Sequence, residues 1–448
     1  MGSCPRSLAI EILCRWQQDE LPIDTLLEPQ LRNLTDGRDR NLVRAIVAGT
    51  LRNLGAIDWL LAKVSKIPLP RLNPLILQTL RVGVYQILYL DRVPQAAAIH
   101  ATVEAVKRKG EPRWLTGFVN GVLRAVVRGK EEFLRVINAG KIPPEALFNH
   151  PGWLIARWRD RYGAPALKAI CRSNAQPARL CLRVNTRLCT VAELVAALTA
   201  RNVEVTPGSY LPESLWIDHA GAVTDLPGYN EGWFLVQDEI AQLVAGLVLP
   251  FPSGDCLDGC AGLGGKTAAL AGIVPEGCRV FAVEPHPRRQ QLFKENMTRL
   301  GLSGIVLYDG TLAEFAAATS MSFAAVLIDA PCSGLGVTGR HPDIRWQRKE
   351  SDLPQFQAKQ VAILSEAADL VADGGVLVYV TCSTEPEENE AVVSLFRQVH
   401  PQFILENAAL SLPEAARPLV DEQGFLRTLP GHHGTSDGFF GARMRRVS

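Results

Sequence analysis

Five short apolar stretches in the second half of the sequence constrain the fold most. They read DCLDGC, RVFAVE, GIVLYDG, AAVLIDAP and GVLVYVTCS, and stretches with helical periodicity separate them. Strands that alternate with helices indicate a parallel, doubly wound α/β sheet, because each crossover helix packs back on the sheet. We therefore predict an α/β domain over residues 236–448, with FFGARM near its end as an added edge strand. Ligands of such sheets bind outside the carboxyl ends of the strands.

The first 140 residues have a different pattern, in which apolar residues recur at three- and four-residue spacing. Segments 38–64 and 73–90 both show this spacing, and Asn73-Pro74 supplies a helix cap followed by proline at the first helical position. We predict an all-α domain over residues 1–140. A chain of 448 residues is too long for one hydrophobic core, so several domains are expected.

The stretch between these domains reads as a linker followed by a small domain. Residues 141–153 contain three prolines and no sustained periodicity, which is typical of a linker. Residues 154–235 combine strand-like stretches, such as SLWIDH at 214–219, with a helical stretch at 191–202. We predict a small α+β, RRM-like region there.

Composition places the chain among ordinary globular proteins, with 47% apolar and 21% charged residues. The sequence contains no run of about twenty apolar residues and no signal-peptide core at its start, so we expect a cytoplasmic protein without a membrane partner. Its ten cysteines form no CxxC pair and no cluster at zinc spacing, so no metal is expected.

Charge is distributed unevenly along the chain. Residues 1–150 hold 21 Lys and Arg against 14 Asp and Glu, a net charge of +7, whereas the remainder holds 26 against 32, a net charge of −6. A basic domain joined to an acidic one suggests that the first engages a polyanion. A solvated basic surface without a partner is the alternative.

A glycine-rich turn, LDGCAGLGGKTAAL at 257–270, follows a predicted strand and opens a helix. Gly262, Gly264 and Gly265 allow a tight turn and close approach of a ligand to the backbone, and the helix amino terminus offers free N–H groups. The spacing matches neither the P-loop nor a clean GxGxxG. A structural bend is the alternative to a nucleotide site.

Acidic residues end the strands that follow this turn. Glu284 is placed to hold ribose hydroxyls, Asp309 to meet an adenine amino group, and Asp329 ends the next strand. This pattern favours a nucleoside with a free ribose and no pyrophosphate. S-adenosylmethionine fits it better than a dinucleotide does.

Two predicted strands end in Cys-Ser pairs, at Cys332 and Cys382. A thiolate can add to C6 of a pyrimidine and so activate C5 toward a methyl donor, with an acid near N3 and a base that later removes the C5 proton. The two cysteines with Asp329 supply these groups. Either cysteine alone is more simply explained as a structural residue at a strand end, whereas the pair together with the upstream turn favours catalysis.

Several motifs of this sequence resemble those of a known protein family. DAPCSG (329–334), RHPDIRW (340–346), GGVLVYVTCSTEPEEN (374–389) and DGFF (437–440) resemble the motifs of bacterial RNA (cytosine-5)-methyltransferases. DRNLVRAIVAGTLRNLGAIDWLL, RVGVYQILYLDRVP and GFVNGVLR resemble the NusB-like domain of one branch, which modifies one cytosine of 16S rRNA. The resemblance spans almost the whole chain. It implies a Rossmann-like methyltransferase domain, dependent on S-adenosylmethionine, behind a NusB-like helical RNA-binding domain.

The resemblance also implies roles for individual residues. Cys382 of the TCS motif is the nucleophile, Cys332 assists proton removal and product release, and Asp329 holds the cytosine edge. In DNA cytosine methyltransferases the cysteine after proline attacks instead, so the two assignments compete, and the presence of both motifs favours Cys382. The implied cofactor residues are Cys260, Ala261, Gly262, Leu263, Gly264, Gly265, Lys266, Glu284, Asp309 and Asp329.

One departure from the family pattern lies in the cofactor turn. The family usually has CAAPGGKT where this chain has CAGLGGKT, so Gly262 and Leu263 replace Ala and Pro. Loss of the proline frees the backbone of the loop before binding, which we expect to weaken its preorganisation. Glu284, where the family has Asp, keeps the carboxylate on a longer side chain.

The segment after the first cysteine motif, GRHPDIRWQRKE at 339–350, mixes cationic side chains with a tryptophan. Arg340, His341, Arg345 and Trp346 are therefore predicted to contact RNA near the entry of an unstacked base. A solvated loop at the start of a helix is the alternative.

These observations lead to one hypothesis and two alternatives. We expect a monomeric methyltransferase that uses S-adenosylmethionine and acts on C5 of a cytosine in naked or partly assembled 16S rRNA. One alternative is an inactive NusB-like RNA-binding or assembly factor, and the other is a cytosine-5 methyltransferase that acts on tRNA.

Overall fold

The computed structural model describes residues 4–91, 93–218, 221–432, 434 and 437–447. The chain divides into two compact units, of which the first comprises Met1–Pro177 and Thr338–Arg348 and the second comprises Ala178–Val337 and Lys349–Ser448. The predicted fold class is confirmed, with helices first, then a small α+β region, and then an α/β domain.

Helices alone build the first unit up to residue 177. They are α1 (Pro5–Asp19), α2 (Ile23–Leu31), α3 (Gly37–Arg52), α4 (Leu54–Val64), α5 (Pro74–Tyr89), α6 (Gln95–Arg108), α7 (Arg113–Asn138), α8 (Pro144–Phe148) and α9 (Gly152–Ala175). The predicted cap of α5 is present, since the side chain of Asn73 accepts a 2.8 Å hydrogen bond from the N–H of Leu75. Among the described residues no single helix is long and apolar enough to cross a membrane, although α3 and α4, bent by 76°, reach that length and composition together.

Residues 141–153, which the sequence predicts as a linker, contain helical structure. This stretch contains α8 and the start of α9, and α9 belongs to the first unit. Pro143 and Pro151 precede these helices and Pro144 occupies a first helical position. Proline is tolerated there because the N–H it lacks has no helical partner. The prolines therefore start helices, and the first strand after these helices begins at Leu180.

The α+β region is a four-stranded antiparallel sheet with one helix. Its strands are β1 (Leu180–Val184), β2 (Glu204–Pro207), β3 (Ser214–Asp218) and β4 (Phe234–Val236), in the order β2-β3-β1-β4, and its helix is α10 (Val191–Thr199). His219, the last residue of the predicted strand, lies outside the described residues. Arg183 of β1 donates to the side chain of Gln237 (2.8 Å) and to the carbonyl of Gly265 (3.1 Å), which joins this sheet to the glycine-rich turn.

The α/β domain contains one mixed sheet. Its strands are β5 (Cys256–Asp258), β6 (Val280–Val283), β7 (Ile305–Tyr308), β8 (Phe323–Asp329), β9 (Val371–Thr381), β10 (Phe403–Glu406), β11 (Leu426–Arg427) and β12 (Phe440–Arg446). The order is β10-β12-β9-β8-β5-β6-β7, with β11 paired to β12. The helices that follow along the chain are α11 (Glu239–Leu243), α12 (Gly265–Ile273), α13 (Pro287–Arg299), α14 (Leu312–Ala318), α15 (Ile344–Gln347), α16 (Leu353–Ala368) and α17 (Glu390–Val399).

The predicted parallel sheet is confirmed for the run from β9 to β7, but the last strand is placed differently. β12, which includes all of FFGARM except its first residue, Phe439, pairs antiparallel with both β9 and β10 and so lies inside the sheet. The edge prediction failed because β10, a strand of only four residues, pairs with the free side of β12 and forms the edge itself.

Both faces of this sheet are buried, which explains the nearly continuous apolar runs of its strands. Along β9, Val376, Val378 and Val380 enter the core on one face, whereas Leu377 and Tyr379 enter the core on the other. Side chains alternate between faces along a strand. A polar side chain in the middle of such a strand would be buried among apolar residues. The polar groups of the site accordingly occur at the strand ends.

Residues 338–348 fall within the α/β part of the sequence, but in the structure they belong to the first, helical unit. Arg345 is fully buried, and its guanidinium donates to the carbonyls of Asn149 (3.3 Å), Asn174 (3.1 Å) and Thr338 (2.6 Å). Trp346 packs against the helical core and donates its indole N–H to the carbonyl of Leu51 (2.8 Å).

The opposite end of this segment is anchored in the same unit. A side-chain oxygen of Asp343 accepts a 3.0 Å hydrogen bond from the N–H of Ile23 at the start of α2. Arg52 at the end of α3 donates to the carbonyl of Gly339 (3.2 Å). The segment is therefore a structural part of the helical unit.

Replacement of Arg345 by Met should destabilise the protein by at least about 3 kcal/mol, because three buried carbonyls lose their donor. Calorimetric thermal unfolding of the full-length chain measures this change. Arg44→Met is the matched control, since Arg44 pairs with Glu28 where both side chains are well exposed, and we expect a change below about 0.5 kcal/mol. Equal shifts for the two variants would contradict the role of Arg345.

Candidate active site

The glycine-rich turn connects β5 to α12 and adopts backbone conformations that favour glycine. Gly262 has φ 57° and Gly264 has φ 87°. A Cβ on Gly264 would stand 2.6 Å from the side chain of Met297 and 2.9 Å from that of Phe293. Gly264 is thus required both by its backbone angle and by the close approach of α13.

Hydrogen bonds hold this turn where the family proline is missing. The N–H of Gly264 donates to the carbonyl of Ala261 (2.9 Å), and the side chain of Asn296 donates to the carbonyl of Leu263 (3.1 Å). The side chain of Leu263 itself is half exposed. These bonds restrain the backbone on both sides of Leu263, which supports the turn without the proline.

The three predicted acids lie at the carboxyl ends of β6, β7 and β8. Because these strands are parallel, Glu284, Asp309 and Asp329 lie along one edge of the sheet. Glu284 is buried and accepts from the N–H of His286 (2.8 Å). Gln290, which the sequence did not indicate, donates to the carbonyl of Glu284 (2.6 Å) and to the carboxylate of Asp309. One amide on α13 thus holds the main chain at Glu284 and the carboxylate of Asp309.

Lys266 at the start of α12 forms an ion pair with Asp329. The distance from Nζ to Oδ2 is 2.5 Å, and the lysine side chain is only 11% exposed. Burial lowers the pKa of Lys266, but Asp329 and the nearby Cys382 and Asp258 more than offset it, so the pKa lies above its ordinary value. Lys266 therefore carries its charge at neutral pH.

Asp258 at the end of β5 is a second buried acid beside this pair. It is fully buried and accepts a 2.7 Å hydrogen bond from the hydroxyl of Thr267. Burial raises the pKa of Asp258 to about 6, and the hydrogen bond from Thr267 only partly offsets that cost. The sequence signal was available, because Asp258 ends a strand just as the three predicted acids do.

The structure brings the two predicted cysteines together. β8 and β9 are parallel neighbours, with Asp329 opposite Val380, and the sulfurs of Cys332 and Cys382 lie 3.3 Å apart. The hydrogen bond with Cys382 and burial raise the pKa of Cys332 well above its usual value. Cys332 therefore holds its proton at neutral pH.

Three loops close around these sulfurs. The N–H of Gly336 donates to the carbonyl of Cys382 (2.9 Å), and the N–H of Gly438 donates to the carbonyl of Gly336 (2.7 Å). The ring of Phe439 lies 5.8 Å from Nζ of Lys266. The DGFF motif is therefore part of the same site as the two cysteine motifs.

Cys260 of the turn does not share the chemistry of this pair. Burial and the charges of Asp258, Asp329 and Glu284 raise its pKa far above the usual value for a thiol. Among the described residues, no three His, Cys, Asp or Glu side chains are grouped as a metal site.

The residues predicted to contact RNA lie in the first unit, and the prediction is wrong for Arg345. A fully buried guanidinium bonded to three carbonyls has no surface to offer a phosphate. The indole of Trp346 is also committed to the helical core. His341 is partly exposed and pairs with Asp24 at 2.9 Å, and Arg340 is partly exposed. The sequence showed the basic-aromatic composition but not the burial.

Comparison with known proteins decides the family. The family model described as 16S rRNA methyltransferase RsmB/F matches residues 247–445. A Bacillus subtilis protein named probable ribosomal RNA small subunit methyltransferase B is 35% identical over 98% of each chain. The chain belongs to the RsmB/F family of 16S rRNA methyltransferases.

Further matches extend the RsmB/F assignment to the whole chain. The ribosomal RNA small subunit methyltransferase B of Escherichia coli O6:K15:H31 is 33% identical over 98% of each chain. The NusB family matches residues 3–128, and the ferredoxin-like domain of RsmF/B proteins matches residues 150–224. The solved structure of a methyltransferase homolog from Pyrococcus horikoshii superposes with a TM-score of 0.56 at 24% identity, covering 68% of this chain and 100% of that one, which shows the shared fold.

Asp258 should make stability depend on pH in a specific window. Its pKa is about 6 when folded and near the usual 3.8 when unfolded, so raising the pH through this interval ionises the buried carboxyl and costs about 3 kcal/mol. In Asp258→Asn this cost is absent. The melting temperature of the variant minus that of the wild type should therefore rise between pH 4 and 7, as followed by calorimetry. The exposed Asp369→Asn serves as the control, and a pH-independent difference for Asp258→Asn would refute the assignment.

Proposed function

We propose that this RsmB/F protein methylates C5 of one cytosine in 16S rRNA through a covalent adduct between Cys382 and C6 of the base. The observation that carries the proposal is the pair of cysteine sulfurs, 3.3 Å apart at the ends of two adjacent parallel strands. Lys266 and Asp329 lie beside them. An apolar structural role would account for either cysteine but not for two thiols next to a partly buried ion pair.

The protonation of Cys332 supports the division of roles. Because burial and the contact with Cys382 raise the pKa of Cys332, Cys332 stays a thiol, and we assign the attack on C6 to Cys382. Attack forms the S–C6 bond and makes C5 an enamine-like carbon. After C5 has accepted a methyl group, loss of the C5 proton to a base and cleavage of the S–C6 bond regenerate the double bond and free Cys382. Cys332 assists these last steps.

Asp329 is suited to hold the base during this sequence. Its Oδ2 accepts from Lys266, whereas no described residue donates to its Oδ1, and the side chain is one-third exposed. Oδ1 can accept a hydrogen bond from the Watson–Crick edge of cytosine. The ammonium of Lys266 fixes the carboxylate of Asp329 in place.

The other strand ends fit a nucleoside methyl donor. The carboxylates of Glu284, held by the N–H of His286, and of Asp309, held by Gln290, offer acceptors for ribose hydroxyls and an amino group, and the turn at Gly264 lets the backbone approach closely. S-adenosylmethionine, when bound, supplies the methyl group. The target base must leave its stack to reach Cys382, so we propose naked or partly assembled 16S rRNA as the substrate.

We also propose that α7 of the helical unit contacts this RNA. Arg113, Arg124 and Arg128 are exposed at spacings that place them on one face, and no described residue pairs with them. The side chain of Trp114 is 65% exposed, which suits stacking on an unpaired base.

The backbone of the same helix supports this surface. No atom lies within 4 Å of a Cβ placed on Gly117 or Gly121, so RNA can approach the helix closely there. A groove of about 420 Å³ between α6 and α7 runs past Gly117 and Arg124. Arginine beside open backbone and an exposed indole is a suitable surface for single-stranded RNA.

Cys382→Ala should abolish methyl transfer, whereas Cys332→Ala should accumulate a covalent protein–RNA adduct because release fails. Transfer of labelled methyl to unmodified 16S rRNA, mapping of the labelled base, and denaturing gels for the adduct measure both effects. Cys278→Ala, in the loop before β6, is the control and should retain activity. Activity in Cys382→Ala would show that Cys382 is not the nucleophile. Label in tRNA instead of 16S rRNA would show that the substrate is tRNA.

Combined replacement of Arg113, Arg124 and Arg128 by Ala should weaken RNA binding about tenfold or more and reduce the salt dependence by roughly one counterion per arginine. Trp114→Ala should weaken binding without changing the salt slope. Filter binding at several salt concentrations measures both. The control combines Arg32→Ala, Lys63→Ala and Arg71→Ala, which are exposed on other elements of this unit. An unchanged slope in the α7 variant would exclude this face.

A further inference from the structure

Glu388 is a buried carboxylate that the proposed chemistry does not use. It ends the short turn Pro386–Glu388 and is fully buried. Its Oε1 accepts from the N–H of Ser333 (2.7 Å) and from the side chain of Gln360 (3.1 Å). Its Oε2 accepts from the hydroxyls of Ser333 and Ser383, each at 2.5 Å.

The two serines tie this carboxylate to both cysteines. Ser333 directly follows Cys332, and Ser383 directly follows Cys382. Their hydroxyls meet at Glu388 and lie 3.3 Å from one another. A single side chain therefore fixes the residues next to both sulfurs, although fifty residues of sequence separate them.

A carboxylate suits this position because it only accepts hydrogen bonds. Four donors converge on its two oxygens, one main-chain and three side-chain groups. Burial raises the pKa of Glu388, and the hydrogen bonds from Ser333, Ser383 and Gln360 pull it back. Well-packed apolar residues would stabilise a fold at this point as well as a buried charge does. The carboxylate instead accepts hydrogen bonds from Ser333 and Ser383, which directly follow the two cysteines.

We propose that Glu388 is a positioning residue that aligns the two cysteine loops, so that Cys332 and Cys382 face the same base. It acts through Ser333 and Ser383 and does not itself touch the substrate. This inference rests on the proposed function for its consequence in catalysis, but the alignment of the two thiols can be measured without RNA.

The first measurement is the rate at which dibromobimane bridges Cys332 and Cys382 in the full-length protein, with the bridged peptides identified by mass spectrometry. Glu388→Ala should slow the bridging about tenfold or more, because misplacement by about 1 Å already has large effects on reaction rates. Glu388→Gln keeps the shape and one acceptor oxygen, so it should retain more of the rate than Glu388→Ala. The exposed Glu422→Gln is the control and should react as the wild type does.

The second measurement is methyl transfer to unmodified 16S rRNA. Glu388→Ala should lower kcat about a hundredfold while KM for RNA stays within about twofold, since alignment and not binding is lost. Ser333→Ala and Ser383→Ala should each lower kcat in the wild type but have little further effect in Glu388→Ala, because they act through the same carboxylate.

The outcomes separate the two proposals. Unchanged bridging in Glu388→Ala and Glu388→Gln, with only a lower melting temperature, would overturn the positioning role. Slower bridging in a protein that methylates no RNA would support the positioning role and reject the proposed function. If Glu388→Ala does not fold, the two serine variants and Glu388→Gln still provide both measurements.

Discussion

The parallel pairing of β8 with β9 is the constraint on which the site depends. This register sets Asp329 opposite Val380, so the loops that leave the two strands start side by side. Cys332 and Cys382 then meet at 3.3 Å although they lie fifty positions apart in the chain. Parallel strands end at the same edge of a sheet, and with their faces buried on both sides the polar residues collect there.

Buried charged groups are concentrated at this edge of the sheet, and their surroundings stabilise them in different ways. Lys266 and Asp329 neutralise one another. Glu388 receives four hydrogen-bond donors. Asp258 has fewer donors, and burial accordingly raises its pKa to about 6. An apolar core on both faces of the sheet provides the stability that offsets these costs.

Local sequence misled where tertiary packing reversed its meaning. The composition of 340–346 is that of an RNA-binding loop, yet Arg345 is buried among carbonyls of the helical unit. The proline-rich stretch at 141–153 starts two helices. The strand predicted as an edge, β12, lies between β9 and β10. Exposure and strand order depend on partners distant in sequence, which neither composition nor periodicity can specify.

The chain's local pattern was enough for the α/β class, the helical domain, the strand-end acids and the pairing of the two cysteine motifs. Each of these follows from periodicity or from a polar residue that interrupts an apolar run. The convergence of Glu388, Ser333 and Ser383, and the tie of Gln290 to two acids, were decided only by the folded structure. Such contacts join residues from separate loops and helices, and their geometry exists only after the sheet has brought those elements together.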